Sequence, residues 1–181
     1  MVATSRPTPD DLLRMPDDGW RYELIAGQLR RRPLNGPAEG AATVIIAAAV
    51  SEIARRRRLG QVVINVGYVF AADPPTVLGP SASFVRTERM PPRADWSGYP
   101  RVAPDLAVDV VLPTDAAGEI ANRVEIYLAA GVRLVWIVDP VSRTVAVHYP
   151  DRTGRLLIEG ESLDGEDVVP GFALPVAEVF S

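Results

Sequence analysis

Apolar residues change their spacing several times along the chain, and those changes delimit its elements. Thr8-Pro-Asp-Asp-Leu-Leu-Arg-Met reads as a short helix, with Thr8 as N-cap, Pro9 at the first helical position and two acids in the first turn. Pro16-Asp-Asp-Gly19 ends it. Beyond Trp20, Arg-Tyr-Glu-Leu-Ile and Gln-Leu-Arg-Arg-Arg flank Ala26-Gly27, the pattern of two strands joined by a tight turn. After a loop over 33–37, residues 38–59 form an alanine-rich helix. Its middle is apolar on nearly every face and is expected to be largely buried, and Gly60 stands where a stop glycine belongs. Residues 61–70 and 77–85 are strand-like, and the proline-bearing stretch 86–101 is irregular.

The second half is sharper. Residues 105–112, Asp-Leu-Ala-Val-Asp-Val-Val-Leu, suit a central strand interrupted only by Asp109. Over 115–130, Ile120, Val124, Tyr127 and Leu128 share a helical stripe that Gly131 terminates. Residues 133–139 and 144–149 make a hairpin about Pro-Val-Ser, followed by a strand near Leu156 and a turn at Pro170-Gly171. This order predicts an α/β fold in which helices flank a twisted mixed β-sheet, with a right-handed parallel crossover over 106–138. The 181 residues suffice for a single domain, 1–181, with its core over about 8–180. No run of about 18 uncharged apolar residues and no basic-then-apolar leader is present, so a cytoplasmic protein with no membrane partner is expected.

Composition then narrows the chemistry. The chain has no cysteine and one histidine, His148, which excludes thiolate chemistry and leaves little room for imidazole-bound zinc. All 19 of its basic residues are arginine, so no mechanism can use a lysine amine. Net charge is −4, so nucleic-acid binding would have to use a local patch. Two clusters could supply one: Arg30, Arg31 and Arg32, and Arg55, Arg56, Arg57 and Arg58. The second also fits a helix C-terminus, where the dipole favours cations without any ligand.

Asp109 is the most informative single position. A carboxylate inside an apolar strand is costly unless a cation, a metal or a donor satisfies it, so it is either a metal ligand or a buried partner of an arginine. Arg123 stands beside the apolar stripe of the next helix and could turn back to Asp109. It also follows Glu119 by four residues, and a surface pair of that common kind is the expectation from spacing. Glu23 alternates with Tyr22 and Leu24 and could face solvent or a site. Glu39 and Asp105 read as a helix-dipole acid and a strand-edge charge, and His148 as an exposed strand residue.

Asp-Gly-Trp-Arg-Tyr-Glu-Leu-Ile-Ala-Gly-Gln-Leu (18–29), Ala-Pro-Asp-Leu-Ala-Val-Asp-Val (103–110), Asn-Arg-Val-Glu-Ile-Tyr-Leu-Ala-Ala-Gly-Val-Arg-Leu-Val-Trp-Ile-Val-Asp-Pro (122–140) and Pro-Gly-Phe-Ala-Leu (170–174), in this order, resemble the Uma-two family, bacterial proteins with a restriction-endonuclease-like fold. The resemblance spans roughly residues 8 to 180. It implies a PD-(D/E)xK-type site, in which strand carboxylates hold Mg²⁺ or Mn²⁺ and a lysine stabilises the attacking hydroxide or the phosphorane charge. Glu23 matches the first glutamate of the family and Asp109 its second acid, shortened by one methylene. Ser81 stands at the metal-binding aspartate, Arg123 at the lysine, and Glu39 where histidine is frequent. The metal set is thereby reduced to Glu23 and Asp109, and the lysine is lost. Arginine keeps the charge but cannot act as a base, and an Asp109–Arg123 ion pair would fill the metal site.

The sequence therefore leads to a nuclease-fold protein with impaired phosphodiester cleavage, kept as a binding or assembly module. Such a module would bind DNA through the arginine clusters or pair as a homodimer through an exposed sheet edge. The competing expectation is a weak Mg²⁺- or Mn²⁺-dependent DNA endonuclease using Glu23 and Asp109, with Arg123 stabilising charge. A folded remnant without activity is the third.

Overall fold

The computed structural model describes residues 6–92 and 97–181. Residues 1–5 of the expected domain and 93–96 of the expected irregular stretch lie outside the described residues.

The first helix, α1 (Pro9–Leu12), is a single turn closed by a reciprocal capping box between Thr8 and Asp11. Strands β1 (Trp20–Ile25) and β2 (Gln28–Pro33) form the expected hairpin. Ala26 and Gly27 both take positive φ, the two-residue turn whose twist matches that of the flanking strands. Helix α2 (Pro37–Arg57) follows, then β3 (Gly60–Ile64), β4 (Tyr68–Ala72), β5 (Pro75–Leu78) and β6 (Ala82–Arg86). The second half holds β7 (Leu106–Val110), α3 (Ala117–Ala129), β8 (Leu134–Asp139), β9 (Thr144–His148) and β10 (Gly154–Leu157). It closes with β11 (Ser162–Asp164), β12 (Ala173–Pro175) and the short α4 (Val176–Val179).

These strands do not make one sheet. Each of the two stretches read as single strands, 61–70 and 77–85, splits: β3 and β6 join a six-stranded sheet in the order β10-β9-β8-β7-β6-β3, whereas β4 and β5 join a four-stranded sheet, β2-β1-β5-β4. The breaks fall at Asn65, in the left-handed region, and at Gly79-Pro80, where no regular strand can continue. The small β11–β12 pair and α4 carried no periodic signal in so few residues. Strands β7 and β8 run parallel across α3, as the crossover pattern predicts, and every other pairing in the large sheet is antiparallel.

The six-stranded sheet has two covered faces. Leu106, Val108 and Val110 turn to the face packed by α2 through Ile46 and Val50. Ala107 and the neighbouring Val135 and Ile137 turn to the other, covered by α3 through Val124 and Tyr127. Strand alternation therefore places Asp109 under α3. Helix α2 is as long and apolar as a membrane-spanning helix, yet it lies on the sheet by one side only. The expectation that it is largely buried is corrected: Val44 is 60% exposed, and Ala41 and Ala48 share that outer side.

Gly60 is not the stop glycine of α2. Arg58 takes the left-handed capping conformation, and Gly60 opens β3. Its hydrogen is required by close approach, since a Cβ there would lie 2.1 Å from the Val85 carbonyl oxygen of β6. Gly60→Ala is thus expected to destabilise the fold by about 1–3 kcal/mol, as overpacking against backbone does, measurable as a lowered urea midpoint with an unchanged slope.

Candidate functional site

Three elements converge where the two large sheets meet α3. Strand β1 brings Glu23, β7 brings Asp109, and one turn of α3 brings Arg123 and Tyr127, four residues apart and therefore on one helix side. All four are buried: Glu23 is 4% exposed, Asp109 2%, Arg123 6% and Tyr127 0%. The Arg123 guanidinium sits between the two acids. Its Nε donates to Asp109 Oδ2 at 2.8 Å, its Nη1 to Glu23 Oε2 at 2.6 Å, and its Nη2 to Asp109 Oδ1 at 3.3 Å and to the Tyr127 hydroxyl at 2.9 Å. The Tyr127 hydroxyl in turn donates to Asp109 Oδ2 at 2.7 Å. The surface pair expected between Arg123 and Glu119 is corrected, because two buried carboxylates outcompete one exposed one for a fork with five donors.

The cluster continues beyond the triad. Glu23 Oε1 accepts from the Gly79 backbone N–H at 2.9 Å, and the Gly79 carbonyl accepts from Arg21 Nη2 at 2.8 Å. Burial pushes the Asp109 pKa up, but the charge and hydrogen bonds of Arg123 outweigh it, with help from Arg32 and Tyr127, and hold the acid below its ordinary value. For Arg123 burial works toward a lower pKa, and Asp109, Tyr127 and Glu23 overcome it, so the guanidinium stays charged. Burial drives the Tyr127 hydroxyl well above the ordinary tyrosine value, which keeps it a proton donor to Asp109. Burial also lowers Arg21, opposed by Glu23 and Asp109.

Ser81 extends β6 by one residue and, in the register that pairs Ala82 with Val108, falls opposite Asp109. It is buried and its hydroxyl accepts the Val110 N–H at 3.2 Å. Glu39 is also buried, but on α2 over the opposite face of the sheet. Among the described residues it makes no ion pair or side-chain hydrogen bond to the other four candidates. Asp105, read as a strand-edge charge, is instead a buried acid at the far end of β7 that binds Arg89 at 2.7 Å and the Arg86 N–H at 2.9 Å. His148, expected to be exposed, is half-buried on β9 against the Gly154 strand.

A divalent cation needs several free oxygens at about 2.0–2.6 Å. Here the inward oxygens of Glu23 and Asp109 are filled by guanidinium N–H groups, and Ser81 supplies a hydroxyl already engaged with backbone. Among the described residues no group of three or more His, Asp or Glu side chains is placed to hold a metal. The residues present do not fit a hard dication.

The arginine clusters separate. A cleft of about 560 Å³ opens beside the triad, bordered by Glu23, Arg30, Arg31, Arg32, Asp115 and Arg123. Arg32 is neutralised by Asp115 at 2.5 Å, while Arg31 lies exposed over the Trp20 ring and Arg30 is held by Gln28. Arg55 to Arg58 end α2 near Gly60 and Arg86, at the opposite end of the sheet from Asp109. There Arg56 pairs with Glu52 and Arg57 caps the Pro170 carbonyl. Sequence reasoning takes Tyr127 only as part of the apolar stripe of α3 and misses Arg21. The signals were the four-residue spacing from Arg123 and the two-residue alternation from Glu23.

The family model for Uma2, described as "Putative restriction endonuclease", matches residues 9–177. The chain belongs to the Uma2 family. A search of curated proteins finds no match. Among solved structures, the Uma2 chain is similar to one titled a "putative nuclease belonging to DUF820" from Anabaena variabilis ATCC 29413. The two share 17% identity and a TM-score of 0.83, over 96% of this chain and 97% of that one. At that identity the likeness establishes the fold, which is the restriction-endonuclease-like α/β fold expected from the sequence.

Removing the shared cation leaves two carboxylates buried together. Arg123→Met is expected to cost about 3–5 kcal/mol in urea unfolding. The lowered Asp109 pKa means that its contribution is fully present above about pH 4 and is lost as pH falls through the folded value. Asp109→Asn should therefore lower stability at pH 7 and remove part of the acid-induced loss that the parent shows below pH 4, read from thermal melts across pH.

Proposed function

We propose that this Uma2 protein binds nucleic acid through the arginine-lined cleft without cleaving it, its catalytic pocket being filled by an internal ion cluster. The observation that carries this reading is the Arg123 guanidinium bonded to both Glu23 and Asp109. Metal-assisted attack on a phosphodiester needs carboxylates free to hold the metal and a group that stabilises hydroxide. Neither is left here, since the acids are spent on arginine and arginine does not deprotonate.

The cleft retains what binding needs. Arg30 and Arg31 are exposed on β2, and among the described residues neither has an ion pair. In the hairpin register Arg30 stands opposite Glu23, so a backbone phosphate held by Arg30 would lie along the mouth of the buried cluster. The Trp20 ring lies under the Arg31 guanidinium and holds it on β2. Arg55 to Arg58 are not part of this surface. The reading includes a homodimer formed through a sheet edge, supported by edge strand β10, where Leu156 is 61% exposed and Ile158 just beyond it 54%.

The test is fluorescence anisotropy on duplex and single-stranded oligonucleotides, with light scattering on the same samples and cleavage assayed in Mn²⁺. Binding is expected to weaken with salt, and Arg30→Ala with Arg31→Ala should flatten the log–log salt slope by about 2. Absence of binding at low salt would remove the nucleic-acid reading, and a monomer in light scattering the homodimer. Cleavage lost in Asp109→Asn would make the protein an endonuclease after all.

A further inference from the structure

On the side of Glu23 away from the arginine-lined cleft lies a second, smaller cavity of about 190 Å³, predominantly polar, into which Arg21, Asn65, Gly67, Gly79 and Tyr99 all border. Two glycines make its floor. A Cβ on Gly79 would lie 3.9 Å from the Gly67 Cα and 3.3 Å from Arg21 Nη2, and one on Gly67 would meet the Tyr99 ring at 2.6 Å. Backbone without side chains thus brings the Arg21 guanidinium and the Tyr99 ring to the same hollow.

Arg21 is the unusual group. It is largely withdrawn from water, which lowers its pKa, yet among the described residues no carboxylate lies within ion-pair distance of it. Among the described residues its guanidinium makes one hydrogen bond, to the Gly79 carbonyl, which leaves most of its five N–H donors over. Glu23, the nearest acid along β1, is already engaged by Arg123 and the Gly79 N–H. A half-buried guanidinium with spare donors over a glycine floor is suited to a tetrahedral oxyanion. Asn65, exposed at the rim and with no side-chain hydrogen bond among the described residues, can add an amide donor.

We infer that this cavity binds a phosphate monoester, gripped by Arg21 and Asn65, and that in the complex it receives the terminal phosphate of a strand lying in the adjoining cleft. The link to a strand rests on the nucleic-acid reading above; the phosphate site itself does not. Both cavities border Glu23, which places the smaller one next to the cleft that holds Arg30. The shared chemistry is a dianionic phosphate, whether free or at the end of a chain.

Calorimetry with inorganic phosphate and anisotropy with one oligonucleotide carrying a 5′-phosphate, a 3′-phosphate or neither separate the sources. The expected result is saturable phosphate binding, and about tenfold tighter binding of a phosphorylated end than of the unphosphorylated strand. Both should be lost in Arg21→Gln. Asn65→Asp should weaken both as well, and because Asn65 is exposed that substitution leaves the fold intact even if Arg21→Gln does not. Phosphate binding without any oligonucleotide binding would uphold the site and remove the nucleic-acid reading. Oligonucleotide binding indifferent to terminal phosphate, with no heat from inorganic phosphate, would overturn the site and leave that reading standing.

Discussion

One guanidinium bridging two buried carboxylates is the constraint on which the centre of this molecule depends. Arg123 joins its helix to a strand of the large sheet and a strand of the small one through three hydrogen bonds. No apolar contact could specify that junction so narrowly, because a forked cation satisfies acids arriving from two directions in one geometry. Tyr127 completes the arrangement by donating to the same Asp109 oxygen that Arg123 Nε reaches. Beyond the triad, Glu23 also accepts from the Gly79 N–H, and the Gly79 carbonyl accepts from Arg21.

That junction fills the place where the family resemblance puts a metal. In the geometry implied by the family resemblance, acids on neighbouring strands would be held together by a metal that offsets their repulsion. Here the offset is covalently attached to α3. Ser81, opposite Asp109 across β6 and β7, has no charge to offset and instead accepts a backbone N–H. The pocket is consequently internally satisfied, and what remains accessible is its basic rim.

Much of this was legible from sequence. Asp109 inside an apolar strand demanded a partner, and strand–helix–strand spacing placed Arg123 within reach of it. The hairpin, the parallel crossover and the helix stripe followed from periodicity alone. Spacing misled where two arrangements shared one pattern: Glu119 and Arg123 fit a surface pair, and only the position of α3 over β7 decides against it. The division of the strands between two sheets was hidden because an apolar run reads alike whether or not the chain changes sheets within it. Buried Asp105 and the open outer side of α2 were likewise tertiary facts, fixed by the 3-10 turn at Thr87–Arg89 and by the single sheet beneath the helix.

The Arg123 guanidinium fills the space between Glu23 and Asp109. Calorimetric titration of the protein with Mn²⁺, with Asp109→Asn as control, tests it most directly. No saturable site is expected at millimolar metal in either protein. A stoichiometric site present in the parent and absent from Asp109→Asn would contradict it.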